Sequence, residues 1–416
     1  MRIVVIGAGI VGMTSAHALR RDGHRVSVVE ALAEPGHLTS KANGAQLSYS
    51  FVAPLADPAV LPKLPSWLLR RDSPLRLRLR ADPQQWRWAL RFLAACTRAR
   101  SEKSTGELLA LGARSRQLMH ELVAKERLAF QFASSGKLLV YQDALAYRTA
   151  LAQLGYQATL GCEQVAMDRE ACVARDPALA DIAARIVGGV FTPSEDAGDC
   201  MALCQELQRV MSTGAKPVQF HFGTRVRRVQ VEKRRVIGLE TSAGTIEADA
   251  YVIANGVDAQ ALASQVGIDP LIYPLKGYSL TYQLSERSSA PTTSISDVHN
   301  KVVYARLGDR LRVAGMVDIG DRSLRMDPRR VAALERQVRD YFPRLHAIAP
   351  PEAWTGLRPA RPDGKPLVGA TPYGNLWLNV GHGALGFTLA AGSAELLADR
   401  IAGRPSEHFP DPMFTL

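Results

Sequence analysis

Arg2-Ile3-Val4-Val5-Ile6 runs directly into Gly7-Ala8-Gly9-Ile10-Val11-Gly12, and these eleven residues decide how the chain begins to fold. The first run is apolar and β-branched, which suits a short parallel strand buried on both faces. A helical pattern follows from Met13 to Arg21, with Ala16 and Leu19 on one side and Gly23 as its stop. Arg25 to Val29 is a second strand, ending at Glu30. Strand, glycine turn, helix and strand in this order make a dinucleotide-binding unit. Gly7 permits the tight turn, Gly9 lets the backbone approach a pyrophosphate, and Gly12 lets helix and strand pack closely. With Ile10 and Val11 the glycines open a helix whose free N–H groups and positive dipole end face the phosphates. Glu30, with Ala31 beside it, is placed to accept hydrogen bonds from ribose hydroxyls, and a carboxylate there disfavours a 2′-phosphate.

Outward from this unit, Thr39-Ser40-Lys41-Ala42-Asn43-Gly44-Ala45-Gln46-Leu47-Ser48 is small and polar. It fits neither an amphipathic helix nor a strand face. Its backbone could lie against a flat ligand with N–H groups free, although by itself it could be any surface loop. Further along come Lys276-Gly277-Tyr278-Ser279, Trp354-Thr355-Gly356-Leu357-Arg358-Pro359, Pro362-Asp363-Gly364 and Gly381-His382-Gly383-Ala384-Leu385-Gly386.

With these motifs the chain resembles, almost end to end, the D-amino-acid oxidase superfamily of FAD-dependent oxidoreductases, and most closely its bacterial D-amino-acid dehydrogenase branch. The resemblance implies an α/β fold: a Rossmann-type FAD-binding domain plus an α+β substrate domain whose antiparallel sheet covers the flavin face. It assigns FAD contacts to Ser40, Lys41, Ala42, Asn43, Gly44, Gln46 and Leu47, to Val226 (where relatives hold the adenine with backbone atoms), and to Asn255 and Gly256. It also assigns them to Gly381, His382, Gly383, Leu385, Gly386, Phe387 and Thr388. Some relatives attach FAD through a cysteine near the C-terminal motifs. This chain has no cysteine after Cys204, so noncovalent FAD is expected.

The 416 residues suggest two or three domain-sized units, with the composition of a globular protein. The expected division is 1–50, 195–260 and 355–416 for FAD, and 51–194 with 261–354 for the substrate. Strands are expected over 136–141 and 188–191, a helix over 200–211, a meander over 224–247 and a strand over 251–254. Alternating runs at 278–284, 301–306 and 310–316 suit an antiparallel sheet with one covered face. A helical insertion is expected from about 60 to 130, beside the substrate domain.

No apolar run is long enough to cross a membrane, and Ile3 to Ile6 is too short for a signal peptide, so a cytoplasmic location is expected. Cys200 and Cys204 would share a helical face, but no histidine or second pair lies near them, so they read as buried thiols and no metal is expected. The net charge is +11, with an excess between Pro62 and Arg100. There Arg70, Arg71, Arg76, Arg78, Arg80, Arg87, Arg91, Arg98 and Arg100 interleave with Trp67, Trp86 and Trp88. This is either a solvated basic face over buried tryptophans or a surface that docks on the inner face of an anionic cell membrane. No nucleic-acid motif accompanies the charge.

The implied reaction, with a small amino or imino acid as substrate, needs its carboxylate fixed, its nitrogen neutral and its Cα–H presented to flavin N5. The flavin carries the hard step and the protein supplies orientation and electrostatics. Arg358 stands at the family's substrate-arginine position, and its planar fork matches a carboxylate. Tyr278 could donate to the same carboxylate, with Tyr304, His299 and Tyr49 as further pocket residues. His382 could be a general base, but its place between glycines better fits backbone contact with FAD. A helix from Leu385 to Leu397 would aim its positive end at the flavin pyrimidine. Ala384 and Leu385 stand where some amino-acid oxidases carry another substrate-binding arginine, which favours neutral or cyclic substrates. Oxidative deamination of D-amino acids, with electrons passed to a quinone or another non-oxygen acceptor, is the expected activity. D-proline or another secondary amine as substrate, or oxygen as acceptor, are the alternatives.

Overall fold

The structure is a computed structural model that describes residues 1–65, 73–406, 408–409 and 412–416. Trp67, Arg70 and Arg71 lie outside the described residues. In chain order the strands are β1 (Arg2–Ile6), β2 (Arg25–Val29), β3 (Gln46–Leu47), β4 (Leu75–Leu77), β5 (Lys137–Tyr141), β6 (Val165–Met167) and β7 (Gly188–Thr192). β8 (Asp196–Ala197), β9 (Gln219–His221), β10 (Val226–Glu232), β11 (Arg235–Thr241), β12 (Gly244–Ile246) and β13 (Ala250–Ile253) follow. The last are β14 (Tyr273–Gln283), β15 (Ser294–Asp297), β16 (Val302–Leu307), β17 (Arg310–Ile319), β18 (Glu352–Ala360), β19 (Leu367–Ala370) and β20 (Leu376–Val380). The helices are α1 (Ile10–Arg21), α2 (Pro83–Ala95), α3 (Arg98–Glu126), α4 (Ala144–Thr159), α5 (Arg169–Arg175), α6 (Cys200–Met211), α7 (Ala259–Ser264), α8 (Pro328–Tyr341) and α9 (Gly386–Ile401).

Two sheets organise the molecule. The first has the order β19-β20-β13-β1-β2-β9 and is parallel except at β19. Its strands are apolar on both sides because both faces are covered. Ile3, Val5, Val26 and Val28 face a core shared with α1, α6 and α9, where Cys200 and Cys204 are buried. Val4, Ile6 and Val29 face the meander β10–β12 and α7.

The second sheet has the order β18-β14-β17-β16-β15-β5-β7-β6, with β4 beside β17. It is antiparallel except at the β15–β5 and β17–β4 pairs. Side chains alternate across it. Tyr278, Leu280 and Tyr282 join Leu334, Val338 and Tyr341 of α8 in one core, while the opposite face looks toward the first sheet.

Two elements depart from the expected division. β18 lies wholly in the second sheet, so a boundary at 355 would cut a strand. Helix α3, expected beside the substrate domain, instead joins the first domain's core through Leu108, Leu111 and Met119. Small residues allow its close approach: a Cβ on Gly112 would sit 2.7 Å from the Tyr49 carbonyl oxygen, and one on Gly392 of α9 would sit 2.9 Å from that of Leu111. Arg114 of α3 and Glu395 of α9 form an ion pair across this contact at 2.6 Å.

Candidate active site

One cavity of about 1950 Å³ runs from the C-terminal ends of β1 and β2 to the inner face of the second sheet. It is large enough for a dinucleotide with a small substrate beside it. Its first part is the glycine turn. Gly7 has φ of 104°, and a Cβ there would lie 2.7 Å from Asn255 Cα. A Cβ on Gly12 would lie 1.9 Å from the Gly7 carbonyl oxygen, so Gly12 serves close contact rather than lining the cavity. Gly7, Gly9, Ile10, Val11, Glu30, Ala31, Val226, Asn255 and Gly256 do line it. The Glu30 carboxylate is oriented by N–H donors of Ala8 at 2.8 Å and Leu32 at 3.0 Å, leaving lone pairs for hydroxyl donors.

The small polar loop lies across the strands of the second sheet. Thr39 Oγ1 donates to the Leu357 carbonyl at 2.8 Å, and Ser279 Oγ donates to that of Ala42 at 2.7 Å. Arg312 donates to the Asn43 carbonyl at 3.1 Å, a Cβ on Gly44 would meet Val303 at 3.2 Å, and Gln46 Nε2 donates to Ile295 and Tyr304 carbonyls. Ser40 Oγ accepts from the Ile10 N–H at 3.1 Å, tying the loop to the helix start. The loop thus closes one wall of the cavity with small residues. Lys41 and Leu47 do not line it: Lys41 reaches outward to Glu352 at 3.3 Å, and Leu47 is fully buried in the first core.

Arg358 occupies the inner face of the second sheet. It pairs in register with Leu275, and its guanidinium covers Gly277, where a Cβ would collide with it at 2.6 Å. Burial lowers its pKa, its Nη1 has no hydrogen-bond partner, and among the described residues no carboxylate pairs with it. Asp363, the nearest acid in sequence, instead faces Arg361 at 3.5 Å. A buried cation without a counterion is costly, and an anionic ligand removes the cost.

The tyrosines expected around it are placed otherwise. Tyr278 borders the cavity, but it is one residue out of phase with Leu275 and Gly277, and its hydroxyl turns to the opposite face to donate to Asp318 at 2.9 Å. Tyr304 shares that far face, stacked on Tyr341 at 5.3 Å and edge-on to Phe342. Tyr49 is buried in the first core, outside the cavity lining. His299 is exposed at the cavity rim.

At the other wall, β20 is followed by Gly381, and a 3-10 turn over Gly383–Leu385 leads into α9. Gly381, His382, Gly383, Ala384, Leu385, Gly386, Phe387 and Thr388 line the cavity, so the positive end of α9 faces it. The His382 ring is turned into the protein, with Nε2 3.1 Å from Ser393 Oγ, and burial pushes its pKa down to about 3. It stays neutral and serves the turn rather than acting as a base.

Two cavity residues escaped the sequence reading. Arg361 sits between the quoted motifs, and a Cβ on Gly381 would meet it at 2.6 Å. Lys137 opens the apolar strand β5, and its charge in a wholly buried strand was the signal.

The whole arrangement fits FAD: glycines whose Cβ atoms would fill the cradle, an oriented acid, and a helix end at the far wall. Comparison with known proteins agrees. Residues 2–400 match the model of the DAO family, described as FAD dependent oxidoreductase. The chain is 51% identical over 414 residues to D-amino acid dehydrogenase 2 of Ralstonia nicotianae, covering 97% of each protein. It is 44% identical to D-amino acid dehydrogenase 2 of Pseudomonas aeruginosa, over 97% of this chain and 95% of that one. Among solved structures, glycine oxidase from Geobacillus kaustophilus superposes with a TM-score of 0.79 at 19% identity, over 100% of this chain and 98% of that one. L-proline dehydrogenase from P. horikoshii superposes with a TM-score of 0.74 at 17% identity, over 97% and 94%. These likenesses below a quarter identity speak for the fold alone. The chain belongs to the DAO family of FAD-dependent oxidoreductases.

Proposed function

We propose that this chain oxidises D-amino acids to 2-oxo acids and ammonia, with electrons passed to a quinone or another non-oxygen acceptor. The observation that carries the reading is Arg358, whose covered guanidinium has no counterion among the described residues, in the cavity of a chain so similar to D-amino acid dehydrogenases. FAD, when bound, would supply the oxidising power for the Cα–H bond. The residues that would hold it are the Gly7–Gly12 turn, Glu30, the 40–46 loop and the start of α9. Arg358 binds the substrate carboxylate bidentately and so fixes Cα. Ala384 and Leu385 keep the cavity apolar beside α9, which favours neutral or cyclic side chains. Water then hydrolyses the imino acid.

Anaerobic bleaching of the bound flavin against D- and L-amino acids and both prolines tests this. Fast bleaching by D-forms alone is expected. Bleaching only by a secondary amine would replace the substrate, and peroxide formed in stoichiometry with substrate would replace the acceptor.

A membrane surface as the place of electron delivery is supported by α2. Gln85, Trp88, Phe92 and Ala95 form its inner stripe, and the Trp88 indole donates to Ala360. The outer stripe is apolar too: Trp86 is 46% exposed, Leu90 65% and Leu93 44%, with exposed Arg87 and Arg91 interleaved. That pattern suits an anionic lipid surface. No helix among the described residues is long and apolar enough to cross a membrane. Sedimentation with anionic but not zwitterionic vesicles is expected, and Leu90→Glu should abolish it.

A further inference from the structure

Beside the cavity lies a line of polar groups that the reaction above does not use. Lys137 lines the cavity, and its Nζ donates to Ser48 Oγ at 2.8 Å and stands 4.5 Å from the Phe51 ring centre. The Ser48 N–H in turn donates to Thr388 Oγ1 at 3.0 Å, in the first turn of α9. On the side away from the cavity, the Ser48 and Ser50 hydroxyls face Glu195, whose Oε1 accepts from the Ser50 N–H at 2.7 Å. Glu195 Oε2 is buried without a hydrogen bond. The next residue, Asp196, is also buried, and Tyr49 turns its hydroxyl toward it. Asp196 Oδ2 lies 2.8 Å from His120 Nε2 on α3, and the His120 side chain is 36% exposed. These groups therefore lie between the cavity and solvent; Glu195 and Asp196 are consecutive and no hydrogen bond joins their carboxylates, so a proton passing between them needs a bridging water.

Its placement follows from local pairing. β3 and β8 pair Leu47 with Asp196, which sets Ser48 beside Glu195. The other groups facing Glu195 are the Cys162 thiol and Tyr49, while Arg116 of α3 bears on Tyr49. Burial pushes the Lys137 pKa down to about 8, with Glu195 opposing, and burial raises that of Glu195, with Lys137 opposing. Both groups are thereby brought toward the range in which they exchange protons near neutral pH.

We propose that Lys137, Ser48, Glu195, Asp196 and His120 form a proton-exit relay that takes the ammonium proton of the substrate from the cavity to solvent. This rests on the amino-acid reading above. In the balanced step, one substrate N–H bond breaks and its proton enters the relay. FAD, when bound, would supply the acceptor for the Cα–H electron pair, and the nitrogen lone pair would close the C=N bond of the imino acid. Lys137 receives the proton as its neutral amine, directly or through one water, and Ser48, which accepts from Nζ, hands it to Glu195. These are positioning and relay residues acting on the proton, distinct from Arg358, which holds the carboxylate.

The test is single-turnover flavin bleaching of the holoenzyme by its best D-amino acid, across pH 6 to 10. The unaltered protein is expected to show a rate that rises through a pH of about 8. Lys137→Met and Glu195→Gln should lose that limb and slow bleaching roughly 10²-fold at pH 7, with FAD content unchanged. His120→Asn, at the surface end, should slow it less and recover with added imidazole, which a purely structural role would not produce. If Lys137→Met fails to fold, the other two variants carry the test. Bleaching with an unaltered pH profile in Glu195→Gln and no imidazole response in His120→Asn would overturn the relay alone. Absence of bleaching in the unaltered protein by every D-amino acid would sink the functional reading and the relay with it.

Discussion

The two faces of the second sheet treat charge in opposite ways. On the far face, Asp318 is fully buried and saturated: Arg76 Nε at 3.1 Å, Arg330 Nε at 3.0 Å and the Tyr278 hydroxyl at 2.9 Å all donate to it. On the cavity face, Arg358 is half-buried with its Nη1 covered, and among the described residues no acid pairs with it. The same strand, β14, serves both, since Tyr278 looks one way and Gly277 the other. Charge satisfied within the protein holds the fold, whereas charge left unsatisfied at a cavity is reserved for a ligand. Stability and substrate binding should therefore separate cleanly between the faces.

The largest effect expected is on the saturated face. Asp318→Ala leaves the buried Arg330 guanidinium without its counterion, while the half-buried Arg76 keeps Asp327 at 3.3 Å, and should cost about 3–5 kcal/mol of stability, read as the fall in denaturation midpoint. KM for the amino acid should hardly move in whatever protein stays folded. Next, Arg358→Ala should cost about 2–5 kcal/mol in kcat/KM without lowering the melting temperature, because it removes an unpaired, half-buried charge. A large loss of stability there would break the contrast. Gly277→Ala should mimic it in part, since its Cβ would displace the guanidinium, and should raise KM.

The pH dependence of His382 sharpens the contrast with a group kept neutral rather than paired. Its folded pKa of about 3 lies below the ordinary value of 6.5, so the unfolded chain binds the proton first as pH falls. Stability should drop between pH 6.5 and 3, by up to about 1.4 kcal/mol per pH unit from this residue, and His382→Asn should flatten that drop. The smallest effect should come from Tyr278→Phe: about 1–1.5 kcal/mol of stability and no change in KM, measured by denaturant titration and steady-state kinetics. A raised KM would return Tyr278 to the substrate.

The residues that were legible are those whose role is local. In Gly7, Gly9 and Gly12 the turn, the close approach and the helix contact follow from consecutive residues. Glu30 could be placed because it ends the next strand. Tyr304 lies outside the cavity and Tyr278 borders it with its hydroxyl turned to Asp318, because a strand position shifted by one residue changes face and nothing in an apolar strand with both faces covered marks which face meets the cavity. Helix α3 was assigned to the wrong layer for a related reason. Its small residues, such as Gly112, make sense only once Tyr49 is known to cross them.

By itself, then, the sequence determined the βαβ start with its dinucleotide-binding glycines and Glu30 and several of the later strands, while FAD and the substrate arginine came with the family resemblance. The βαβ start and the strands follow from short-range patterns, in which periodicity and glycine positions act on neighbouring residues. Only the tertiary structure decided that Asp363 turns to Arg361 and leaves Arg358 unpaired, that Tyr278 is spent on Asp318, and that Lys137, Glu195 and His120 stand in one line. Charge pairing and burial depend on which strands become neighbours, and that depends on contacts between residues far apart in the chain.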